Sequence, residues 1–210
     1  MFEISPTPFD VRLVAFRIPI RVHWTFWLMN VLLGWNPDRL DLVFLWVVCG
    51  FFAVLVHELG HALCAAIFGW PTHIVLYFGG GLAISERYRN NTPWRNIAVS
   101  VMGPGAGFLF LGVVIALQLI LYRSDIRVHG YVAVVLRYLF LMNLFYSVFN
   151  LIPVLPLDGG HICASLCQAF RARDPLGLTL KIGAVVSGAA TYYFFVVEKQ
   201  TFAGMMMLML

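Results

Sequence analysis

The chain has 210 residues, 61% of them hydrophobic and only 11% charged, with a formal net charge of +4. A soluble domain is about 45–50% apolar and about 25% charged, so a surplus of this size has to face lipid. The basic residues are scattered through connecting segments and form no basic stripe, which argues against nucleic acid as a partner and suits an anionic membrane surface.

The composition predicts an all-α polytopic membrane protein, read as a single domain over residues 1–210, with the lipid bilayer as its surroundings. The N-terminus carries Pro6, Pro8 and Asp10 and no early apolar core, so it does not read as a cleaved signal peptide. A short apolar stretch, roughly 20–35, opens with His23-Trp24-Thr25-Phe26-Trp27. Four longer ones follow near 42–68, 97–121, 131–151 and 178–197, each near the length of about 20 residues that a spanning helix needs. The apolar tail Thr201–Leu210 is too short to cross alone and reads as a re-entrant tail or the stub of a sixth span. The expectation is five to six transmembrane helices.

Orientation follows from Lys and Arg in the connecting segments. One side carries Arg12, Arg17, Arg21, Arg87, Arg89, Arg95, Arg171, Arg173 and Lys181. The other carries Arg39, Arg123, Arg127 and Lys199, with Arg137 just inside a helix. The bias puts the N-terminus in the cytoplasm, with the cell membrane as the expected location. Trp24, Trp35, Trp70 and Trp94 fall near predicted helix ends, where an indole favours the interface.

The second predicted span contains His57-Glu58-Leu59-Gly60-His61. Residues i and i+4 share a helix face, so both imidazoles can reach one zinc ion. The Glu of this motif is the expected general base toward a zinc-activated water. Gly60 lacks a side chain and lets another helix or a substrate come close. An ionisable residue at the bilayer centre costs roughly 2.5–3.5 kcal/mol, so three within five positions call for a shared cation.

Beyond it, Thr72–Ile84 is β-branched and aromatic around three consecutive glycines, which predicts a β-hairpin. Exposed strands are not tolerated in lipid, so the hairpin belongs at the interface or along a protein cavity. Gly103-Pro104-Gly105-Ala106-Gly107 reads as a close helix-packing surface.

A catalytic zinc takes three protein ligands and keeps one position open. Among the carboxylates, only Glu58 and Asp158 sit in apolar, Gly/Pro-punctuated surroundings away from Arg-rich segments. Asp158 follows Pro153 and Pro156 and precedes Gly159-Gly160, a stretch that cannot be a regular helix throughout. Broken backbone at membrane depth is expected around a cavity, and paired with the His-Glu-x-x-His helix this makes Asp158 the candidate for the third ligand.

Several residues are set aside. His161 reads as a neighbour of the site rather than a ligand, His23 as interfacial, and His73 and His129 as loop residues. Asn143 lines the cavity or bonds between helices. Cys49, Cys64, Cys163 and Cys167 read as small core residues, with no disulfide or metal assigned to them.

The pairing of His57-Glu58-Leu59-Gly60-His61 with Asn150…Pro153…Leu157-Asp158-Gly159 resembles the site-2 protease family of intramembrane zinc metalloproteases, peptidase family M50. Val22-His23-Trp24-Thr25-Phe26, the Phe78–Ala83 glycine hairpin and Gly103-Pro104 add to the likeness. The resemblance implies one Zn2+ held by His57, His61 and Asp158, Glu58 as general base, and Asn150 orienting substrate or stabilising the oxyanion. It also implies peptide hydrolysis in the transmembrane segments of membrane-anchored proteins. The resemblance is to a compact form expected to lack a PDZ or CBS domain, and Gly107 stands where the family often has Asn. A metal transporter, the rival reading, calls for a path of further ionisable residues in the spans, and only Arg137 presents itself. His57 is expected roughly 22 Å along its helix, placing the site nearer the cytoplasmic face.

Overall fold

The computed structural model describes residues 5–86, 90–124, 128–193 and 195. Two short strands, Val11–Ala15 (β1) and Ile18–Val22 (β2), open the fold and turn on Phe16 and Arg17, with φ of 51° and 66°. Positive φ at both turn residues matches the right-handed twist of paired strands. Trp24–Leu33 (α1) follows, capped by His23, whose side chain accepts the Thr25 N–H. Leu40–Ile67 (α2) is a 28-residue helix, after which Thr72–Tyr77 (β3) and Gly80–Ser85 (β4) form the expected antiparallel hairpin.

Pro93–Arg123 (α3) runs 31 residues; Thr92 caps it, and Pro93 sits in the first turn, where its missing N–H is no loss. Tyr131–Asn150 (α4) is 20 residues long. A loop containing a cis Leu155–Pro156 bond leads into Asp158–Ala169 (α5), and Pro175–Tyr192 (α6) closes the described chain with Asp174 as its cap.

The sheet has the order β1-β2-β3-β4. β2 and β3 pair in parallel, Ile20 opposite Ile74, and are joined through α1 and α2. This is more strand than the hairpin alone that the sequence suggests. Period-2 alternation places Ile18, Ile20 and Val22 on one face, where they pack with Ile74, Leu76, Phe26, Val54 and Ala62. The sheet is thereby fixed against α1 and the middle of α2. At Gly60 a Cβ would overlap the Met102 carbonyl of α3, so the close approach of these two helices depends on glycine there.

Three helices, α2, α3 and α4, are long and apolar enough to cross a membrane among the described residues, so the chain is a membrane protein. They match the candidates near 42–68, 97–121 and 131–151; α1, with 10 residues, and α6, with 18, lie outside that set. The end of the 178–197 candidate, the tail Thr201–Leu210, and Arg87, Arg89, Arg127 and Lys199 of the charge count lie outside the described residues.

Candidate metal centre

Helix α2 directs His57, Glu58 and His61 inward, where they are 1%, 4% and 7% exposed. Their spacing is the cause: one turn of helix separates the two imidazoles, whose ring centroids are 4.9 Å apart. Nitrogen or oxygen atoms of all three side chains lie within 4.8 Å of one another.

Asp158 reaches this group from the first turn of α5. Its Oδ2 is 3.0 Å from His57 Nε2 and 3.2 Å from His61 Nε2, and the two Nε2 atoms are 3.2 Å apart. The three donors thus form a nearly equilateral triangle. Tetrahedral coordination with bonds of about 2.0–2.1 Å has edges of roughly 3.3 Å, so the triangle fits one face of such a site. Imidazole nitrogens and a carboxylate oxygen are also the donor types that zinc accepts. The sequence-predicted ligands therefore converge across 101 positions of chain, and their geometry suits a single divalent metal.

His61 is further oriented by its other nitrogen, Nδ1, 2.7 Å from the Val99 carbonyl of α3. A bond of this kind fixes the tautomer and turns Nε2 toward the site. Among the described residues His57 has no such partner, and its Nδ1 is buried without a hydrogen bond. Its ring lies instead against Tyr146 of α4, at a centroid distance of 4.7 Å and 71° between planes.

Two glycines make the room. A Cβ on Gly103 of α3 would fall on the His61 imidazole, and one on Gly81 of β4 would fall on the Glu58 carboxylate. Within the expected packing surface Gly103–Gly107, Gly103 accommodates the His61 ring and Gly107 the Ser147 side chain, while Gly105 meets nothing within 4 Å.

A cavity of about 250 Å³ opens onto the cluster, lined by His57, Glu58, His61 and Asp158, by Gly79, Gly81, Leu82 and Ala83 of the hairpin, and by Tyr146, Asn150 and His161. Asn150, the last residue of α4, donates its Nδ2–H to the Tyr146 carbonyl at 2.9 Å. β4 is an edge strand whose residues border this cavity directly.

Other expectations fare differently. Asn143 is buried in α4 but does not line the cavity; its Nδ2 donates to the Leu139 carbonyl at 2.8 Å. His73 stands exposed on β3 rather than in a loop, because the hairpin begins at Thr72. Arg137 is exposed on α4 and does not line the cavity, so it supplies no ion path to the cluster. Asp158 begins a helix directly after the proline-broken stretch, which gives its carboxylate a fixed helical base. Tyr146 lines the cavity without having been singled out by the sequence pattern, as do Val99, Ser100 and Phe149. For Tyr146, the spacing of four from Asn150 on an apolar helix is the signal that would have found it.

A His/His/Asp donor face with a glutamate beside it, set against helices long and apolar enough to cross a membrane, defines the class: a membrane protein with a cluster that could hold a metal ion. Peptidase family M50 matches residues 45–128 and 119–195. The chain belongs to that family, a metallopeptidase family. Among curated proteins it is 42% identical over 132 residues to a putative zinc metalloprotease of Synechocystis, covering 62% of this chain and 33% of that protein. It is 32% identical over 163 residues to a zinc metalloprotease of Methanocaldococcus jannaschii, covering 75% and 45%. A third relative, stage IV sporulation protein FB of Bacillus subtilis, is 31% identical over 152 residues, covering 69% and 46%. The chain thus spans between a third and just under half of these relatives. The solved site-2 protease from Methanocaldococcus jannaschii superposes with a TM-score of 0.63 at 25% identity, covering 95% of this chain and 91% of that one.

Proposed function

We propose that this protein is an intramembrane zinc metalloprotease that hydrolyses a peptide bond within or near the transmembrane segment of a membrane-anchored protein. The observation that carries this reading is the donor triangle of His57, His61 and Asp158, with Glu58 beside it, buried among helices fit to cross a membrane. On this reading the three residues hold one Zn2+. When bound there, zinc supplies Lewis acidity toward water and toward the scissile carbonyl.

Glu58 takes a proton from the attacking water, and its place within 4.8 Å of both imidazoles suits that task. It later returns the proton to the departing amine. Asn150 faces the same cavity and donates toward the oxygen that becomes negative as the tetrahedral species forms. A helical substrate hides its carbonyls, so the bond to be cut has to be presented in extended form. The free edge of β4 at Gly81–Ala83 offers strand addition for that purpose, alongside Glu58.

The expected setting completes the proposal. All 210 residues act as one membrane unit, with α1 and α6 adding to the three long helices in a bundle of five to six membrane segments and the N-terminus in the cytoplasm. The cell membrane is the expected location.

The test is cleavage of a model transmembrane substrate by purified wild type beside Glu58→Gln, with zinc measured in both. The expected result is stoichiometric zinc in each and a fall in cleavage of about 10²–10⁴-fold in the variant. A wild type that holds no stoichiometric metal overturns the reading. So does a Glu58→Gln variant that cleaves at the wild-type rate.

A further inference from the structure

The two histidines are held in different ways. His61 is oriented by a hydrogen bond from Nδ1 to the Val99 carbonyl, whereas His57 Nδ1 is buried and makes none among the described residues. A ligand imidazole without an anchored second nitrogen is free to rotate about its Cβ–Cγ bond unless packing stops it. At His57 the packing comes from the Tyr146 ring, edge to face at 4.7 Å. The Tyr146 hydroxyl lies close to the Gly81 backbone of β4 and to the Asn150 side chain. A Cβ on the neighbouring Gly80 would come within 3.1 Å of that hydroxyl, so the turn of the hairpin closes over it. Tyr146 and Asn150 lie one turn apart on α4 and are already joined by the Asn150 Nδ2–H to Tyr146 carbonyl bond.

We propose that Tyr146 is a positioning residue with two separable parts: its ring locks the His57 imidazole toward the metal, and its hydroxyl locks the Asn150 amide against the β4 edge. The second part rests on the proteolytic reading given above; the first needs only a bound metal. In this arrangement the ring takes the place of the hydrogen bond that His57 lacks. The hydroxyl ties together the strand offered to the substrate and the amide offered to the oxyanion, which otherwise belong to separate elements.

The experiment compares wild type, Tyr146→Phe, Tyr146→Leu, Asn150→Ala and the double variant Tyr146→Phe/Asn150→Ala. Each is checked for a monodisperse, folded state, then for zinc affinity by chelator competition, and for kcat and KM. Tyr146→Phe keeps the ring and is expected to bind zinc as the wild type does, with kcat down about 10-fold and KM within about twofold. Tyr146→Leu is expected to weaken zinc about 10–100-fold. If the hydroxyl acts through Asn150, the double variant loses no more than Asn150→Ala alone.

Wild-type kcat in Tyr146→Phe, or losses that multiply in the double variant, overturn the role of the hydroxyl. Wild-type zinc affinity in folded Tyr146→Leu overturns that of the ring. The zinc measurement is independent of proteolysis. If the wild type cuts nothing, the proposed function fails, while the claim for the ring stands or falls on Tyr146→Leu alone.

Discussion

Among the described residues two His–Asp clusters stand out, and they differ in form: the first has the form of a metal site and the second does not. At the first, the Asp158 carboxylate faces two imidazole nitrogens at 3.0 and 3.2 Å, and those nitrogens face each other at 3.2 Å. At the second, Asp10 lies 4.0 Å from His23 Nε2, with its side chain fully shielded. Its oxygens are already met by protons from the chain itself: the Thr7 N–H at 3.0 Å, the Thr7 hydroxyl at 2.5 Å and the Arg21 guanidinium at 3.0 Å. His23 Nδ1 is likewise engaged, 2.7 Å from the Thr25 hydroxyl. The residue types are similar, and what differs is where the lone pairs point. In the Asp158 cluster they converge with no Lys or Arg of the described residues lining the cavity; in the Asp10 cluster a guanidinium already neutralises the carboxylate and would repel a second cation.

The widest separation comes from removing one carboxylate charge at each place. Asp158→Asn is expected to weaken zinc by at least about 100-fold, a larger effect than that of residues which merely support a ligand, and to take cleavage to background. Asp10→Asn is expected to leave zinc stoichiometry and cleavage unchanged. Metal analysis and a cleavage assay on the two purified variants decide it; equal effects would dissolve the distinction. A smaller change probes the room around the ligands. Gly103→Ala places a methyl on the His61 ring, so the imidazole has to turn or α3 has to move. Zinc affinity is expected to fall about 10–100-fold, as when a ligand loses its support. Gly105→Ala on the same helix meets nothing within 4 Å and serves as the control.

The first cluster is legible in the sequence because its chemistry is local and costly. His57, Glu58 and His61 are ionisable groups inside an apolar run, and a single period of helix brings the imidazoles together. Asp158 is distant in sequence but stands out against Pro153, Pro156 and Gly159-Gly160. The hairpin at Thr72–Ser85 is legible through its glycines. The preceding strands are not, since the turn between β1 and β2 uses Phe16 and Arg17 at positive φ, where Gly, Asn or Asp is the usual signal. β2 is also held by a parallel partner, β3, across α1 and α2, a long-range pairing that no local pattern announces. The helical start at Asp158 is hidden by the same prolines that mark the loop before it. Tyr146 is missed for a further reason: an aromatic residue on an apolar helix looks like any lipid-facing or core position until its neighbours are known.

The second cluster has an effect of its own, on stability. Burial raises the affinity of the Asp10 carboxyl for its proton, but the hydrogen bonds from Thr7 and Arg21, with His23 nearby, outweigh it and bring the pKa down to about 2. An unfolded aspartate titrates near 3.9, so Asp10 binds its proton less readily in the folded chain than in the unfolded one. Its stabilising contribution is therefore complete above about pH 4 and is lost as the pH falls through about 2. Asp10→Asn puts an amide where the carboxylate accepts from Arg21 and Thr7, at a cost of about 1 kcal/mol at pH 6, or about 2–4 °C in a chain of this size. That gap should close as the pH is lowered from 4 to 2, because the wild-type carboxyl then becomes a neutral acid and loses the same interactions. Thermal melts of both proteins across that range measure it. A gap that stays constant with pH would mean that Asp10 acts through shape alone, and that the Asp10 cluster holds the N-terminal hairpin without help from its charge.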